Sequence, residues 1–401
     1  MNNIINNKMR NVFLCFFIII FFNSCIEEFF FENNSENEIV YVVDGQILTN
    51  NVEQFIKVST AVSLGHPIFN PVSNCLVSVY DENGNVFHFE ETANYSKGVY
   101  VGEIPIEFMY FGNKFKMTLE TKDGKILESD FEELLQGVPL DSLDYVLNTN
   151  SNGMNKANFY LNMPVDDNYD SYYRFEINES WEYHAAFPII KYYAYVDNNI
   201  EFFDQFEDYS KNICYKSQDL KCIYSASFDD VVGAEYLTVP LHFVSNETQR
   251  FKYKYSVLAT QYSLTKKAYD FWGKLKNTSQ NGETVFGNIP MNADGNISCK
   301  NNPDEIVLGY FGVSDYATKR FLVDLPEDFG FYESQFDCSI NEVDGKVLLN
   351  ILANLEKEDG PYYLPQAPAY DPGGTYIADQ GCFDCRKKGG QTQIFDFWKE
   401  K

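Results

Sequence analysis

The sequence is poor in histidine and in basic side chains. Its 401 residues include only four histidines, His66, His88, His184 and His242, and they lie far apart, without metal-ligand spacing such as H-x-x-x-H. Lysine and arginine number 31 against 58 acidic residues, so the net charge is −27 at pH 7. Nucleic acids and anionic lipid surfaces are bound through basic patches, and this charge balance therefore argues against both as partners.

Familiar catalytic motifs are also missing. The sequence contains no G-x-S-x-G elbow and no glycine-rich phosphate loop between a strand and a helix. Ser263 and Lys266 match the S-x-x-K spacing of penicillin-recognising hydrolases, and Ser314-Asp315-Tyr316 vaguely resembles their S-D-N element, but K-T-G is absent. The acidic stretch 166–170 lacks EF-hand spacing and is interpreted as a solvated turn. We predict no catalytic residue, no metal site and no cofactor.

The apolar run near the N-terminus is too short to cross a membrane. The run from Val12 to Phe22 has 11 residues, whereas a membrane-spanning helix needs about 20. Lys8 and Arg10 precede this run, and the pattern is typical of a signal peptide, which we place at residues 1–24.

The signal peptide ends in a cysteine. Ser24-Cys25 resembles a bacterial lipoprotein box, so we predict lipidation of Cys25 and attachment to the membrane through that lipid. The alternatives are an ordinary N-terminal membrane anchor or a soluble secreted protein. Residues 25–38 are rich in Glu and Asn and are interpreted as an acidic tether. Acidic residues after the cysteine resemble the export signal of surface lipoproteins in Bacteroidetes, which implies an outer-membrane protein exposed at the cell surface.

The body of the chain is predicted to be mainly β. Aromatic residues make up 17% of the sequence, which is typical of β-structure, and stacking platforms for sugars are the alternative explanation. Residues 75–91 show a hairpin pattern in which Cys75, Val77 and Val79 alternate inward before an Asn83-Gly84 turn. Six or seven such strands predict an immunoglobulin-like β-sandwich over 39–136. A larger β-rich second domain (137–360) and a loop-rich tail (361–401) follow.

One segment has helical rather than strand periodicity. Residues 263–277 place Leu264, Ala268, Phe271, Trp272 and Leu275 at helical spacing. Ser263 is the predicted N-cap and Asn277 the predicted end. We expect one amphipathic helix that packs its Phe-Trp face on a sheet of the second domain.

Seven cysteines lie beyond Cys25, and an oxidising compartment favours disulfides among them. Cys75 is interpreted as a buried core residue. Cys214 and Cys222 are predicted to pair. The remaining four leave three pairings open: Cys382–Cys385 with Cys299–Cys338, or either of two crossed pairings that connect the tail to the second domain. Zinc and thioredoxin-like chemistry are alternatives for the C-x-x-C motif, but its glycine-rich context favours a structural disulfide that, with Trp398, fastens the C-terminus.

Several short motifs occur in an order that carries a family resemblance. They are Val43-Asp44-Gly45, Val77-Ser78-Val79-Tyr80-Asp81, Gly98-Val99-Tyr100, Asp123-Gly124-Lys125, the block at 250–276, the block at 305–323, and the C-x-x-C tail at 382–398. Together they resemble the Bacteroidetes lipoprotein family called domain of unknown function 4249, over roughly residues 25–398. The segment IPMNADGNI (289–297) departs from the family pattern. This departure affects the expected shape of that loop rather than the fold.

The resemblance implies an immunoglobulin-like N-terminal domain and an accessory role beside a TonB-dependent outer-membrane transporter. The family has no established activity, so no catalytic residue can be carried over. The leading hypothesis is therefore a cell-envelope lipoprotein with a binding or accessory role. A surface adhesin or glycan-binding lipoprotein is the alternative, and an envelope hydrolase is the enzyme-class rival.

Overall fold

The computed structural model describes most of the chain from Val40 onward. The described residues are 40–399, apart from 52, 62–69, 167–168, 170–171, 198, 230, 232, 282–294, 325, 328 and 332–337. The predicted signal peptide (1–24), the predicted lipidation site Cys25, the predicted acidic tether (25–38) and His66 lie outside the described residues. Those predictions therefore stay predictions.

Eleven strands form one continuous sheet, and most of them come from the first part of the described chain. Nine of them come from residues 40–133, and two come from much later in the sequence. Their bounds are β1 Val40–Leu48, β2 Glu53–Ala61, β3 Asn70–Pro71, β4 Leu76–Asp81, β5 Val86–Glu91, β6 Val99–Glu103, β7 Lys114–Glu120, β8 Ile126–Ser129, β9 Glu132–Glu133, β19 Ile297–Cys299 and β20 Val307–Ser314. The strand order is β19-β8-β7-β4-β5-β6-β2-β1-β20, with β3 beside β2 and β9 beside β7.

Alternating apolar residues explain why these segments are strands. Val77 and Val79 on β4 and Met117 on β7 point into one shared core, while their neighbours face outward. Gly84 has a φ of +88°, which fits the predicted Asn83-Gly84 turn between β4 and β5. Cys75 is 7% exposed and belongs to the same core, as predicted.

The sheet closes because its last strand returns to its first. β20 runs parallel to β1, with Val43 opposite Gly309, and it also lies beside β19 at the other end of the strand order. The Asn296 side chain completes this junction: its Nδ2 donates to the Phe311 carbonyl at 2.8 Å, and its Oδ1 accepts from the Phe311 N–H at 2.9 Å. The closed sheet is consistent with the predicted sandwich, but it uses strands from beyond the predicted 39–136 segment.

Two further sheets face each other across the largest core. The three-stranded sheet has the order β10-β11-β17, and the five-stranded sheet has the order β15-β12-β18-β21 with β16 beside β12. Phe159 and Leu161 from the first sheet meet Phe175, Ile177 and Val257 from the second. The strands are β10 Ser142–Thr149, β11 Asn155–Pro164, β12 Tyr172–His184, β15 Ile213–Asp219, β16 Tyr224–Ser227, β17 Tyr236–Ser245, β18 Tyr255–Leu264 and β21 Tyr316–Val323.

Smaller sheets lie around this core. One joins β14, β13 and β23, and the other joins β22 and β24. Their bounds are β13 Ile189–Val196, β14 Asn199–Asp208, β22 Asn341–Glu342, β23 Tyr362–Leu364 and β24 Tyr376–Ile377. The prediction of a mainly β fold is confirmed. The division into domains at 39–136, 137–360 and 361–401 stays a prediction.

Helix α1 (Lys266–Asn281) confirms the predicted amphipathic helix and corrects its ends. The cap is Thr265 rather than Ser263, since the Thr265 Oγ1 accepts from the Ala268 N–H at 3.3 Å. Ser263 still belongs to β18, where its hydroxyl donates to the Leu135 carbonyl at 2.6 Å. Phe271 is buried, and its ring centroid lies 4.8 Å from that of Tyr310 on β20.

A second α-helix was not predicted. Helix α2 (Gly345–Ala353) begins at an Asp-Gly pair, which is also a common turn signal, and the Asp344 side chain caps it by accepting from the Lys346 N–H at 2.8 Å. Leu348 and Leu352 form its short buried face. Within the described residues, no helix is long and apolar enough to cross a membrane.

Candidate functional site

A cavity of about 630 Å³ lies on the outward face of the five-stranded sheet. Strand alternation builds it: Phe175 and Ile177 turn into the core, so Arg174, Glu176 and Asn178 on the same strand face the cavity. A pocket of this size falls in the usual range for small-molecule sites. No local motif in the sequence marks this site, so it could not be predicted from the sequence.

Arg320 on β21 forms one end of the cavity. It lies opposite Leu258 of β18, which in turn lies opposite Asn178 of β12. Its guanidinium donates to the Ser256 hydroxyl at 2.9 Å, and the guanidinium carbon lies 3.8 Å from the centre of the Phe397 ring. Burial lowers the pKa of Arg320 from its usual value. In the described part of the chain, no carboxylate forms an ion pair with this guanidinium.

Arg174 forms the other end, and its charge is already neutralised. Its guanidinium carbon lies 4.2 Å from the Tyr262 ring centre and 4.4 Å from that of Trp272. It donates to Glu176 at 2.6 Å, and the Tyr262 hydroxyl donates to the same carboxylate at 2.7 Å. Burial, and then the Glu176 charge, raise the pKa of Tyr262. This end is a packed ion pair between aromatic rings.

Strand β15 and the loop after it supply the remaining wall. The Asn178 amide donates to Asp219 at 2.8 Å and accepts from the Ser217 hydroxyl at 2.9 Å. Lys221 and Cys222 follow, both exposed, and the Cys222 thiol is free. The wall therefore offers polar groups and one thiol that solvent can reach.

Two disulfides attach the C-terminal tail, and their pairing corrects the prediction. Cys214 on β15 bonds to Cys385 rather than to Cys222, and Cys338 bonds to Cys382. Most of the chain between Cys214 and Cys222 is extended strand, which places them much further apart than the roughly 7 Å that a disulfide allows between Cα atoms.

The two cysteines of the C-x-x-C motif thus reach different partners, and Cys299 is free on β19. One of the crossed pairings considered from the sequence contains the Cys338–Cys382 bond. The interpretation of the motif as a structural fastening is supported. Tyr215 and Gln391 form an isolated antiparallel β-bridge, and the Trp398 ring centroid lies 5.7 Å from that of Tyr215.

A second polar cluster lies buried between the two facing sheets. Glu179 is fully buried, is paired with Arg250 and accepts from the Tyr255 hydroxyl at 2.8 Å. The His242 Nε2 lies 2.7 Å from the same hydroxyl oxygen. Burial, and then the Arg250 charge, lower the pKa of His242 to about 4, so it is neutral at pH 7. None of these four residues lines the cavity, and they connect β12, β17 and β18.

The other candidate chemical groups are dispersed. His88 contacts Ser78 on β4, and His184 contacts Glu182 and stacks on Tyr253. Lys266 of the S-x-x-K match is exposed and paired with Asp270. Among the described residues, no group of three or more His, Cys, Asp and Glu side chains is placed to hold a metal ion.

The comparison with known families identifies the chain. The model of the family described as a domain of unknown function (DUF4249) matches residues 26–320. The chain belongs to the DUF4249 family. The matched range includes the two strands that carry Arg174 and Leu258 and the whole of helix α1, and it ends within β21 at Arg320. No curated protein matches the chain.

Proposed function

We propose that this DUF4249 protein is a cell-envelope lipoprotein with a non-catalytic binding role. The cavity on the five-stranded sheet carries the proposal, because its walls combine fixed polar groups with room for a small ligand. None of the described histidines lines this cavity, which supports a role without histidine catalysis there. The acidic composition supports a partner other than nucleic acid.

The proposed location is the outer membrane, with the lipid on Cys25 as anchor and the body exposed at the cell surface. The signal-type leader and the Ser24-Cys25 pair support this. The proposed partner is a TonB-dependent transporter, which the protein assists in substrate capture or assembly. The family resemblance supports this partner.

Affinity purification of the tagged full-length protein from solubilised envelope tests the proposal. We expect a TonB-dependent transporter to be enriched with the wild-type protein. A Cys25→Ser variant, which cannot take the lipid, is expected to lose incorporation of labelled palmitate and to leave the membrane fraction. Repeated recovery without any such transporter would reject the accessory role, and unchanged lipid labelling of Cys25→Ser would reject the anchor.

A glycan-binding adhesin is the second candidate, and exposed aromatic residues favour it. Phe206 on β14 is 98% exposed, and Tyr209 just beyond the strand is 57% exposed. Exposed rings can stack on sugars. A glycan array with the mature protein tests this: binding is expected to fall in Phe206→Ser and to persist in Phe131→Ser, which removes an exposed ring elsewhere. An array without any bound glycan would remove this candidate.

A further inference from the structure

Arg320 differs from the other arginines in the described part of the chain. Arg174 pairs with Glu176 and Arg386 pairs with Asp384, both at 2.6 Å, and Arg250 pairs with the buried Glu179. Arg320 has no carboxylate partner there, although acidic residues outnumber basic ones by 58 to 31. A half-buried guanidinium without a counter-ion is costly, and a bound anion would offset that cost.

The surroundings hold Arg320 in place and leave donors unused. The Phe397 ring covers one face of the guanidinium, and the Ser256 hydroxyl accepts one hydrogen bond at 2.9 Å. A guanidinium has five N–H donors, and the rest have no partner within the described ranges. Arginine presents these donors as a planar fork that matches the two oxygens of a carboxylate. The group is thus preorganised for an acid.

The charges around the cavity indicate how much negative charge a ligand carries. The lining includes the cations Arg174, Lys221 and Arg320 and the anions Glu176 and Asp219, which leaves one positive charge in excess. A single carboxylate would neutralise it. Phosphate carries more than one negative charge at pH 7, and a second negative group would approach the Glu176 or Asp219 carboxylate. The site therefore favours a monoanion.

We propose that the cavity binds a small monocarboxylic acid, with the carboxylate on the Arg320 guanidinium and the rest of the molecule along Thr260, Leu258 and Asn178. The proposal rests on the binding role proposed above and names the chemical class of the ligand. The floor from Arg320 toward Glu176 crosses two strand spacings and two residues, or roughly 12 Å between Cα atoms. This length suits an acid of the size of a short peptide or a sugar acid.

Isothermal titration calorimetry with the full-length protein tests the proposal. N-acetyl-trialanine and glucuronate are the probes for the two sources of a carboxylate, and N-acetyl-trialanine amide and glucose are their neutral counterparts. We expect at least one acid to bind and its neutral counterpart to bind at least about tenfold more weakly. Inorganic phosphate is expected to bind more weakly than the acid. Binding of neither acid, or equal binding of acid and neutral probe, would overturn the proposal.

Variants of Arg320 test whether the acid binds at this residue. Arg320→Gln is expected to weaken binding of the acid at least about tenfold, and Arg320→Lys less, since it keeps the charge and loses the fork. Lys57→Gln removes one exposed cation from β2 of the first sheet and is the matched control. Unchanged affinity in Arg320→Gln would reject the site.

A further measurement uses only the wild-type protein, so its result does not depend on whether the variants fold. The bound acid is expected to slow alkylation of the Cys222 thiol, which lines the cavity and is exposed, as followed by mass spectrometry of that peptide. An unchanged alkylation rate at saturating acid would contradict the placement. Recovery of the transporter in the affinity purification does not depend on these probes, so a failure here rejects the ligand class alone.

Discussion

Cys214 and Cys385 are covalently joined although they lie at a sequence separation of 171. The bond attaches the tail to β15, a strand of the sheet that carries the cavity. The tail then continues to Phe397, which covers Arg320. The C-x-x-C segment therefore acts on the candidate site indirectly, by fixing the aromatic ring that packs against its arginine.

Removal of this disulfide is expected to destabilise the protein strongly. The double variant Cys214→Ala/Cys385→Ala opens the longer of the two disulfide loops in the described part of the chain, and the loop-entropy estimate for that length is roughly 5 kcal/mol of the free energy of unfolding. Urea unfolding under non-reducing conditions measures the effect. Cys222→Ala is the control, because this cysteine is exposed and free. Equal midpoints for the double variant and the wild type would show that the bond does not stabilise the fold.

The Cys338–Cys382 disulfide offers a graded comparison. It closes a shorter loop, with a sequence separation of 44, and the same estimate gives roughly 4 kcal/mol. Cys338→Ala/Cys382→Ala is therefore expected to unfold at a urea concentration between those of the wild type and of Cys214→Ala/Cys385→Ala. The reverse order would mean that local packing, rather than loop length, determines the two contributions.

Local patterns in the sequence were enough to predict several of the elements. The alternation of Val77 and Val79 predicted β4, the Asn83-Gly84 pair predicted its turn, and the spacing of Ala268 and Phe271 predicted helix α1. Each of these signals depends on neighbours within a few residues, which a single sequence contains. The missed helix α2 is short, and its Asp-Gly start is also a common turn signal.

The connections between elements could not be predicted in the same way. β1 pairs with β20 about 270 residues later, and strand periodicity does not encode the identity of a pairing partner. The Cys214–Cys385 bond was missed for the same reason, since spacing favoured the near partner Cys222. The cavity combines Arg174 and Arg320 from strands far apart in sequence, so it becomes visible only after the sheet has formed.

Gly309 is expected to be essential for closure of the first sheet. Its φ is +106°, and a Cβ there would lie 1.9 Å from the Val43 carbonyl oxygen on β1. Gly309→Ala is therefore expected to lower the free energy of unfolding by more than about 3 kcal/mol, from strain and loss of the β1–β20 pairing. Chemical denaturation of the purified variant measures this.

Gly312 provides the matched control on the same strand. Among the described residues, a Cβ at Gly312 would meet only the Tyr310 ring, at an ordinary contact distance of 3.9 Å. Gly312→Ala is expected to change stability by less than about 1 kcal/mol. Similar losses for the two variants would show that the contact with Val43 is not what makes the Gly309 position sensitive.

The buried Glu132 carboxylate is expected to stabilise the junction between the first sheet and helix α1. It accepts hydrogen bonds from the Thr265 and Tyr310 hydroxyls, both at 2.6 Å. Glu132→Ala leaves those donors unpaired and is expected to cost about 3 kcal/mol, whereas Thr265→Ala removes one bond and the helix cap and is expected to cost about 1–2 kcal/mol.

Double-mutant analysis by urea unfolding checks this coupling. The losses in Glu132→Ala and Thr265→Ala are expected to sum to more than the loss in the double variant, because both changes remove the same hydrogen bond. Strict additivity would indicate that the two residues act independently. Lys267→Ala, at an exposed surface pair with Asp130, is expected to be nearly neutral and serves as the control.

The pKa of His242 predicts how stability changes with pH. The pKa is lowered to about 4 in the folded protein by burial and Arg250, whereas an unfolded histidine titrates near 6.5. Between these values the unfolded state binds more protons, so the free energy of unfolding falls as the pH falls from about 6.5 toward 4. The full loss in the free energy of unfolding from this group is about 3 kcal/mol, and this loss is close to zero above pH 7.

Substitution of His242 isolates its contribution to the pH dependence of stability from that of the other titrating groups. His242→Gln keeps a donor for the Tyr255 hydroxyl oxygen but cannot titrate. The stability advantage of the wild type over His242→Gln is therefore expected to shrink between pH 7.5 and 4.5 in urea unfolding. His88→Gln, at an exposed histidine on β5, is expected to leave the pH profile unchanged. A constant difference between wild type and His242→Gln across this range would show that His242 takes up its proton in the folded and unfolded states alike.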